Sequence, residues 1–379
     1  MIPYGKHQID QEDLAAVIDV LQNQLLTQGQ QVPVFESALK NYCGAAHATA
    51  VNSGTSALHI ACLALNVAEG DLVWTSPNSF VASANCARYC GAQIDFVDID
   101  PITRNLSVEA LAQKLEKAKQ ANRLPKAIIM VHFAGMSCDM RAIHALTAPL
   151  GIALIEDASH ALGGRYLDKP VGGCQFSDVC ILSFHPVKSI TTAEGGAVLT
   201  NSATLAEKLR LFASHGITRA ADLMDVESEG PWYYQQIALG YNYRLSDLHA
   251  ALGVSQLRRL DSFIAKRREL VQIYREKLAG LPLVLPLTSS DSAWHLFTVE
   301  LRQHDRSEIF ARLQKAGIGV NVHYIPIHLQ PYYRKLGFRP GDFPYAEAYY
   351  QNALTLPLYP GLSVDNQQYV IDTLISILG

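Results

Sequence analysis

The run Ser183-Phe184-His185-Pro186-Val187-Lys188-Ser189-Ile190-Thr191-Thr192-Ala193-Glu194-Gly195-Gly196-Ala197-Val198 sets a single lysine just past the end of an apolar segment. That segment, Val179-Cys180-Ile181-Leu182-Ser183-Phe184, does not alternate, as expected of a strand covered on both faces, and it ends before Pro186. Strand ends are where an α/β sheet presents its reactive groups. A lysine forms Schiff bases with carbonyl compounds, and desolvation readily lowers its pKa. Taken alone, Lys188 reads equally as a solvated turn lysine. Its company decides otherwise. A second buried-strand run, Ile152-Ala153-Leu154-Ile155, ends at Glu156-Asp157 and is followed by Ser159-His160-Ala161-Leu162-Gly163. One strand end with an acid and another with a lysine point to a cofactor site rather than an ion pair.

The 379 residues, 49% hydrophobic, suffice for a large core divided between a major domain, residues 1–280, and a smaller one, residues 281–379. The net charge of −4 exerts no pull toward nucleic acid or anionic membrane. No apolar run approaches the roughly 18 residues of a membrane span, and the first residues lack a signal core, so a cytoplasmic protein is expected. The seven cysteines are scattered. Cys86 and Cys90, or Cys174 and Cys180, have no histidine at zinc-finger spacing, so no metal is expected and buried free thiols are.

Asp10 reads as the cap of a first helix with Leu14, Val17, Ile18, Leu21 and Leu25 on one face. From Thr55 helix and strand alternate: helices over 55–65, 79–89, 107–119 and 139–150, and strands over 72–75, 94–97, 127–132 and 152–155. Such alternation predicts a mostly parallel sheet with helices on both faces, an α/β fold. Residues 246–278 read as long helix broken near Gly253 or Asp261 and closed at Gly280. Pro282 and Pro286 mark a boundary, after which strands over 296–301 and 319–323 mix with helices in a smaller α+β unit. Residues 220–236, with acids, Pro231 and three aromatics but no period, read as an excursion or lid.

Asn52-Ser53-Gly54-Thr55-Ser56 precedes a helix, so its hydroxyls and free N–H groups form an anion site, though an ordinary N-cap reads the same way. With Leu26-Thr27-Gln28-Gly29, Glu156 to Gly163, Ser183 to Lys188, Glu194-Gly195-Gly196, Gly240-Tyr241-Asn242-Tyr243-Arg244-Leu245 and Val322-His323-Tyr324-Ile325-Pro326, it makes an ordered series along nearly the whole chain. In that order and spacing the chain resembles the DegT-like family, fold-type I aminotransferases that use pyridoxal 5′-phosphate on sugar nucleotides.

The resemblance implies roles for each. Lys188 would hold the cofactor covalently and then act as base and acid; relatives lacking this lysine do dehydration instead. Asp157 would keep the pyridine nitrogen protonated, and a buried carboxylate without such a partner would be expensive. Gly54, Thr55 and Ser56 would hold the phosphate with Ser183, and Gly54 would let backbone approach the ligand. His160, where many relatives carry glutamine, would bond the phenolic oxygen. Phe80 would stack on the pyridine face, although a core phenylalanine fits the same position. Asn242 would reach the phosphate in the partner of a homodimer. Tyr4, Gln24, Leu25, Leu26, Thr27 and the segment His323, Tyr324, Ile325 and Pro326 would line the sugar-nucleotide site, together with Gly54, Ser183 and Asn242. The implied reactants are L-glutamate and a UDP-linked keto sugar, and the Ser159-His160 variation most resembles the branch that aminates the pseudaminic acid precursor. Other nucleotide-linked keto sugars, or a non-catalytic sugar-nucleotide-binding protein, are the alternatives.

Overall fold

A computed structural model describes residues 1–379, and its centre is a seven-stranded sheet in the order β1 (His47–Val51), β9 (Gly196–Thr200), β8 (Val179–Ser183), β5 (Ala153–Asp157), β4 (Ala127–Val131), β2 (Leu72–Thr75) and β3 (Gln93–Phe96). All neighbours pair in parallel except at β9, which runs antiparallel to both β1 and β8. The strands are apolar throughout because both faces are covered. Successive side chains take opposite faces. Val73, Ile129, Ile155, Ile181 and Val198 pack with α3 (Gly54–Ala64), α4 (Ala82–Tyr89) and α7 (Ala203–Ala213). Their neighbours Trp74, Ile128 and Leu154 pack instead with α5 (Val108–Gln120) and α6 (Met140–Thr147). Cys180, Leu182 and Leu199 meet α2 (Gln31–Cys43) and α8 (Asp247–Arg258).

The first helix, α1 (Gln11–Asn23), starts where expected, with Asp10 and Asp13 forming a capping box. Its expected apolar face is a correction. Leu14, Ile18 and Leu21 are exposed, as is Leu25 beyond the helix end, whereas Asp13 and Val20 are the buried residues. Asp13 goes inward because it binds Gln256 Nε2 at 2.7 Å and the guanidinium of Arg259.

The long helical stretch breaks at Arg259, between α8 and α9 (Leu260–Lys277). Gly253 does not interrupt it. A Cβ there would stand 2.6 Å from Phe35 Cζ, so glycine serves the close approach of α2. The cap of α2 comes from far along the chain: Asp247 accepts from the N–H groups of Gly29 at 2.8 Å and Gln31 at 2.7 Å.

A β-hairpin of β6 (Arg165–Tyr166) and β7 (Lys169–Pro170) follows the Asp157 loop. The excursion before Asn242 is a second hairpin, β10 (Ile217–Thr218) with β11 (Gln235–Gln236). The C-terminal region holds a three-stranded antiparallel sheet, β12 (Leu283–Val284), β13 (Phe297–Leu301) and β14 (Ala353–Leu356), with α10 (Arg306–Lys315), α11 (Pro331–Arg334), α12 (Pro344–Asn352) and α13 (Val364–Leu378). Leu270, Val271, Tyr274 and Leu278 of α9 contribute to its core. The strand expected over 319–323 is absent: only single bridges occur, Ile318 to Ile2 and Asn321 to Thr355, because the segment turns toward the main sheet.

Candidate active site

The C-terminal ends of β1, β2, β4, β5 and β8 open on one cavity of about 540 Å³, closed from the other side by the 321–325 segment and His295. Each strand delivers its group through the loop that follows it, the usual site position in an open α/β sheet. β5 ends on Asp157, which is buried. Its carboxylate accepts from Ser83 Oγ at 2.7 Å and from the Ser159 N–H at 3.2 Å. Ser83 on α4 in turn meets Ser79 Oγ, in the loop before the helix, at 2.8 Å, so two hydroxyls in a chain hold the acid in place. β8 leads to Lys188 in the same cavity. Burial pushes the Lys188 amine down to about 8, with Asp157 opposing the shift.

β1 runs into α3, where Ser53 caps the helix by accepting from the Ser56 N–H at 3.0 Å. Gly54 and Thr55 at this positive helix end line the cavity beside Ser183. A Cβ on Gly54 would lie 2.9 Å from Ser183 Cβ, and one on Gly196 would lie 2.5 Å from the Ser53 carbonyl oxygen. These glycines let two strand ends and a helix start converge.

The cavity's remaining walls are imidazoles and phenols. His160 Nδ1 accepts from the Ala134 N–H at 3.3 Å, and Nε2 lies 3.0 Å from the Tyr324 hydroxyl. Burial, then Lys188, then His323 push the His160 pKa well below its ordinary value. The ring is therefore neutral, and with Nδ1 accepting, Nε2–H donates to Tyr324 oxygen. Burial and Lys188 likewise push His323 down to about 3. The His295 ring lies tilted against that of His160, with centroids 4.4 Å apart, and burial first, then His160 and Lys188, push its pKa well below the ordinary value.

Of the residues marked in the sequence, Gly54, Thr55, Phe80, Asp157, His160, Ser183 and Lys188 line this cavity. So do Tyr4, His323, Tyr324 and Ile325. Ser56 is buried behind it, its hydroxyl 2.6 Å from Asn52 Oδ1. Pro326 is buried beside Ile325 and outside the lining. Gln24, Leu25, Leu26 and Thr27 are exposed on the α1–α2 loop, and Asn242 is exposed at the base of the second hairpin. One chain therefore does not bring those five into its own cavity. Sequence reading missed Ser83 and His295. The helix expected from Ser79 begins only at Ala82, so Ser79 bonds Ser83 from the preceding loop, and an isolated histidine from the far end of the chain offered no signal.

The residues fit pyridoxal phosphate: an amine, a fixed buried carboxylate, a helix N-terminus beside a serine, and backbone packed too closely for side chains. Lysine and carboxylate at the ends of a mostly parallel sheet define a fold-type I, pyridoxal-phosphate-dependent transferase. The chain belongs to the DegT/DnrJ/EryC1/StrS aminotransferase family, whose profile matches residues 7–375. It is 38% identical over 384 residues to a Campylobacter jejuni protein named UDP-4-amino-4,6-dideoxy-N-acetyl-beta-L-altrosamine transaminase, covering 100% of this chain and 98% of that one. It is equally 38% identical, over 386 residues, to the Bacillus subtilis spore coat polysaccharide biosynthesis protein SpsC, covering 100% and 97%. The structure of Helicobacter pylori PseC, described as an aminotransferase involved in the biosynthesis of pseudoaminic acid, superposes with a TM-score of 0.90 at 33% identity, covering 100% of this chain and 99% of that one. The protein is an aminotransferase, and no helix is long and apolar enough to cross a membrane.

Proposed function

We propose that the protein transfers the amino group of L-glutamate to C4 of a UDP-linked, N-acetylated 4-keto-6-deoxy hexose. The substrate we assign is UDP-2-acetamido-2,6-dideoxy-β-L-arabino-hex-4-ulose, and the products are UDP-4-amino-4,6-dideoxy-N-acetyl-β-L-altrosamine and 2-oxoglutarate. The observation that carries this reading is the cavity's composition. Lys188 and Asp157 face each other there, and no arginine is among the lining residues. A keto sugar acceptor offers no carboxylate and needs no bidentate cation; the L-glutamate donor is admitted transiently by the same cavity.

Pyridoxal phosphate supplies the electron sink that lets a proton leave the substrate carbon. Asp157, fixed by Ser83 and Ser159, would keep the pyridine nitrogen protonated. The α3 N-terminus and Ser183 would hold the phosphate, and Phe80 would border the ring. His160, bonded to the Ala134 N–H and Tyr324, would give the wall beside them a fixed neutral ring. Lys188 would carry the cofactor and, once displaced, would take a proton from the bound substrate carbon or return one to it. Neutral His160, His295 and His323 line the cavity without adding positive charge that would further depress the lysine. Asn242 and the Gln24–Thr27 loop serve the neighbouring site of a cytoplasmic homodimer.

The equal identity to SpsC keeps another nucleotide-linked keto sugar, the D-xylo epimer or a dTDP or GDP sugar, as the alternative. A panel of such sugars with L-glutamate, read by mass spectrometry of the products, decides between them. A preference for the L-arabino epimer is expected, and cross-reaction is expected too, since a misplaced group costs about 1–3 kcal/mol. A higher kcat/KM for the D-xylo epimer would sink the substrate assignment and leave the transamination standing.

A further inference from the structure

Two hydrogen bonds fix which nitrogen of the His160 ring carries the proton. Nδ1 accepts from the Ala134 N–H at 3.3 Å, and a backbone N–H can only donate. The neutral ring therefore bears its proton on Nε2. Nε2 lies 3.0 Å from the Tyr324 hydroxyl oxygen, so Nε2–H donates and that oxygen accepts. A second ring proton would point straight at the Ala134 N–H, and burial disfavours the charged ring as well.

Backbone from distant parts of the chain holds these atoms in place. Ala134 keeps a φ of 56°, uncommon for a residue with a side chain. Its carbonyl accepts from the Leu296 N–H at 3.4 Å, and the Gly135 carbonyl accepts from the Ala293 N–H at 3.0 Å. Tyr324 is bracketed in the same way. Tyr349 Oη donates to the His323 carbonyl at 3.0 Å, and the Ile327 N–H donates to the Pro77 carbonyl at 2.9 Å. Phe133 meets the Tyr324 ring edge-on, with centroids 6.3 Å apart.

The Tyr324 oxygen thus accepts from His160, while its own O–H has no acceptor within the chain and lies in the wall of the cavity that holds Lys188 and Asp157. Burial, then Asp157, push this phenol well above its ordinary range, so it keeps its proton. A hydroxyl that accepts one hydrogen bond donates its own more strongly, because bonds in a chain polarise one another. His160 has no N–H left for a ligand.

We propose, resting on the sugar aminotransferase reading of this cavity, that the Tyr324 hydroxyl and not His160 is the hydrogen-bond donor to an anionic or carbonyl oxygen of the bound ligand, with His160 as its positioning residue. Two oxygens of that chemistry enter the cavity, the phenolic oxygen of the cofactor and the keto oxygen of the sugar. A donor at the first stabilises its negative charge. At the second it draws electron density from the carbon that is to be aminated.

The test uses the holoenzyme and Tyr324→Phe, which removes one oxygen and keeps the ring contacts. In one arm the absorbance of the Lys188-bound cofactor is titrated against pH with no sugar present. Loss of a donor to the phenolic oxygen should raise the midpoint by about 1–2 pH units, the strength of a hydrogen bond to a charged group. In the other arm, enzyme loaded with pyridoxamine phosphate meets UDP-2-acetamido-2,6-dideoxy-β-L-arabino-hex-4-ulose. Loss of a donor to the keto oxygen should slow that single turnover by about 10²–10³-fold and leave the midpoint in place. His160→Leu should move the same arm in the same direction by a smaller amount. No movement in either arm of Tyr324→Phe overturns the proposal, as does a titration that moves in His160→Leu but not in Tyr324→Phe. A wild type inert toward the sugar sinks the substrate assignment instead, and the titration then decides the donor alone.

Discussion

Lys188 must lose a proton before it can attack a carbonyl or accept a proton from carbon. With its amine brought down to about 8 by burial, the neutral form is abundant two units below where a solvated lysine would supply it. Reconstitution of the apoenzyme with pyridoxal phosphate, followed by absorbance, should therefore accelerate as pH rises and level off above a midpoint near about 8. A rate still climbing past pH 10 would mean the amine is solvated. Asp157 makes a different demand. In Asp157→Asn, the amide oxygen can still accept from the Ser159 N–H and the amide nitrogen can donate to Ser83 Oγ, so the fold and the cofactor should be retained. The charge proposed to keep the pyridine nitrogen protonated is gone. Turnover should fall by about 10²–10³-fold, the cost of losing one preorganised electrostatic partner. Normal kcat in that variant would assign the carboxylate another duty.

Elements whose signals are local were legible, and elements held by distant residues were not. The strand over 72–75 and the helix expected over 107–119, found over Val108–Gln120, follow from patterns of neighbouring residues. α2 offers no such cue, because its N-terminal N–H groups are capped by Asp247, 216 residues onward from Gln31. The strand expected over 319–323 had the right composition but pairs only through single bridges, Ile318 to Ile2 and Asn321 to Thr355. The two strand ends that announced the site, at Asp157 and Lys188, were readable because their loops carry the chemistry. The imidazole of His295 was not, since only the chain's return path brings it against His160. Gly253 shows the same limit. A helix-interior glycine reads as a break, yet here it lets Phe35 approach. Gly253→Ala should gain roughly 1 kcal/mol of helix propensity and lose about 1–3 kcal/mol to overpacking against Phe35 and Thr192. The expected result is a lowered denaturant midpoint with an unchanged slope; a stabilised variant would show that Phe35 yields freely.

A single copy leaves two of its surfaces without a task. Leu14, Ile18 and Leu21 of α1, with Leu25, expose an apolar stripe that no element of the same chain covers. Asn242 stands exposed on backbone pinned by Tyr241 N–H to the Phe212 carbonyl at 2.8 Å and Tyr243 N–H to the Ala213 carbonyl at 3.0 Å, while its side-chain amide has no partner. A rigidly held free amide is suited to a ligand outside its own cavity, and a second copy would supply both that ligand site and a cover for the stripe. Light scattering should report a dimer. The sharper check is complementation. Lys188→Ala dimers lack the amine at both sites, and Asn242→Ala dimers lack at both the contact proposed to cross the interface. In a mixed dimer one site joins Lys188 of the Asn242→Ala chain to Asn242 of the Lys188→Ala chain, and the other site has neither. With free exchange of equal amounts, half the dimers are mixed and half their sites are whole. Activity at limiting cofactor should then recover to about a quarter of the wild-type value. If exchange is verified by mass and no activity returns beyond that of the unmixed Asn242→Ala protein, Asn242 serves its own chain and each site is complete within one copy.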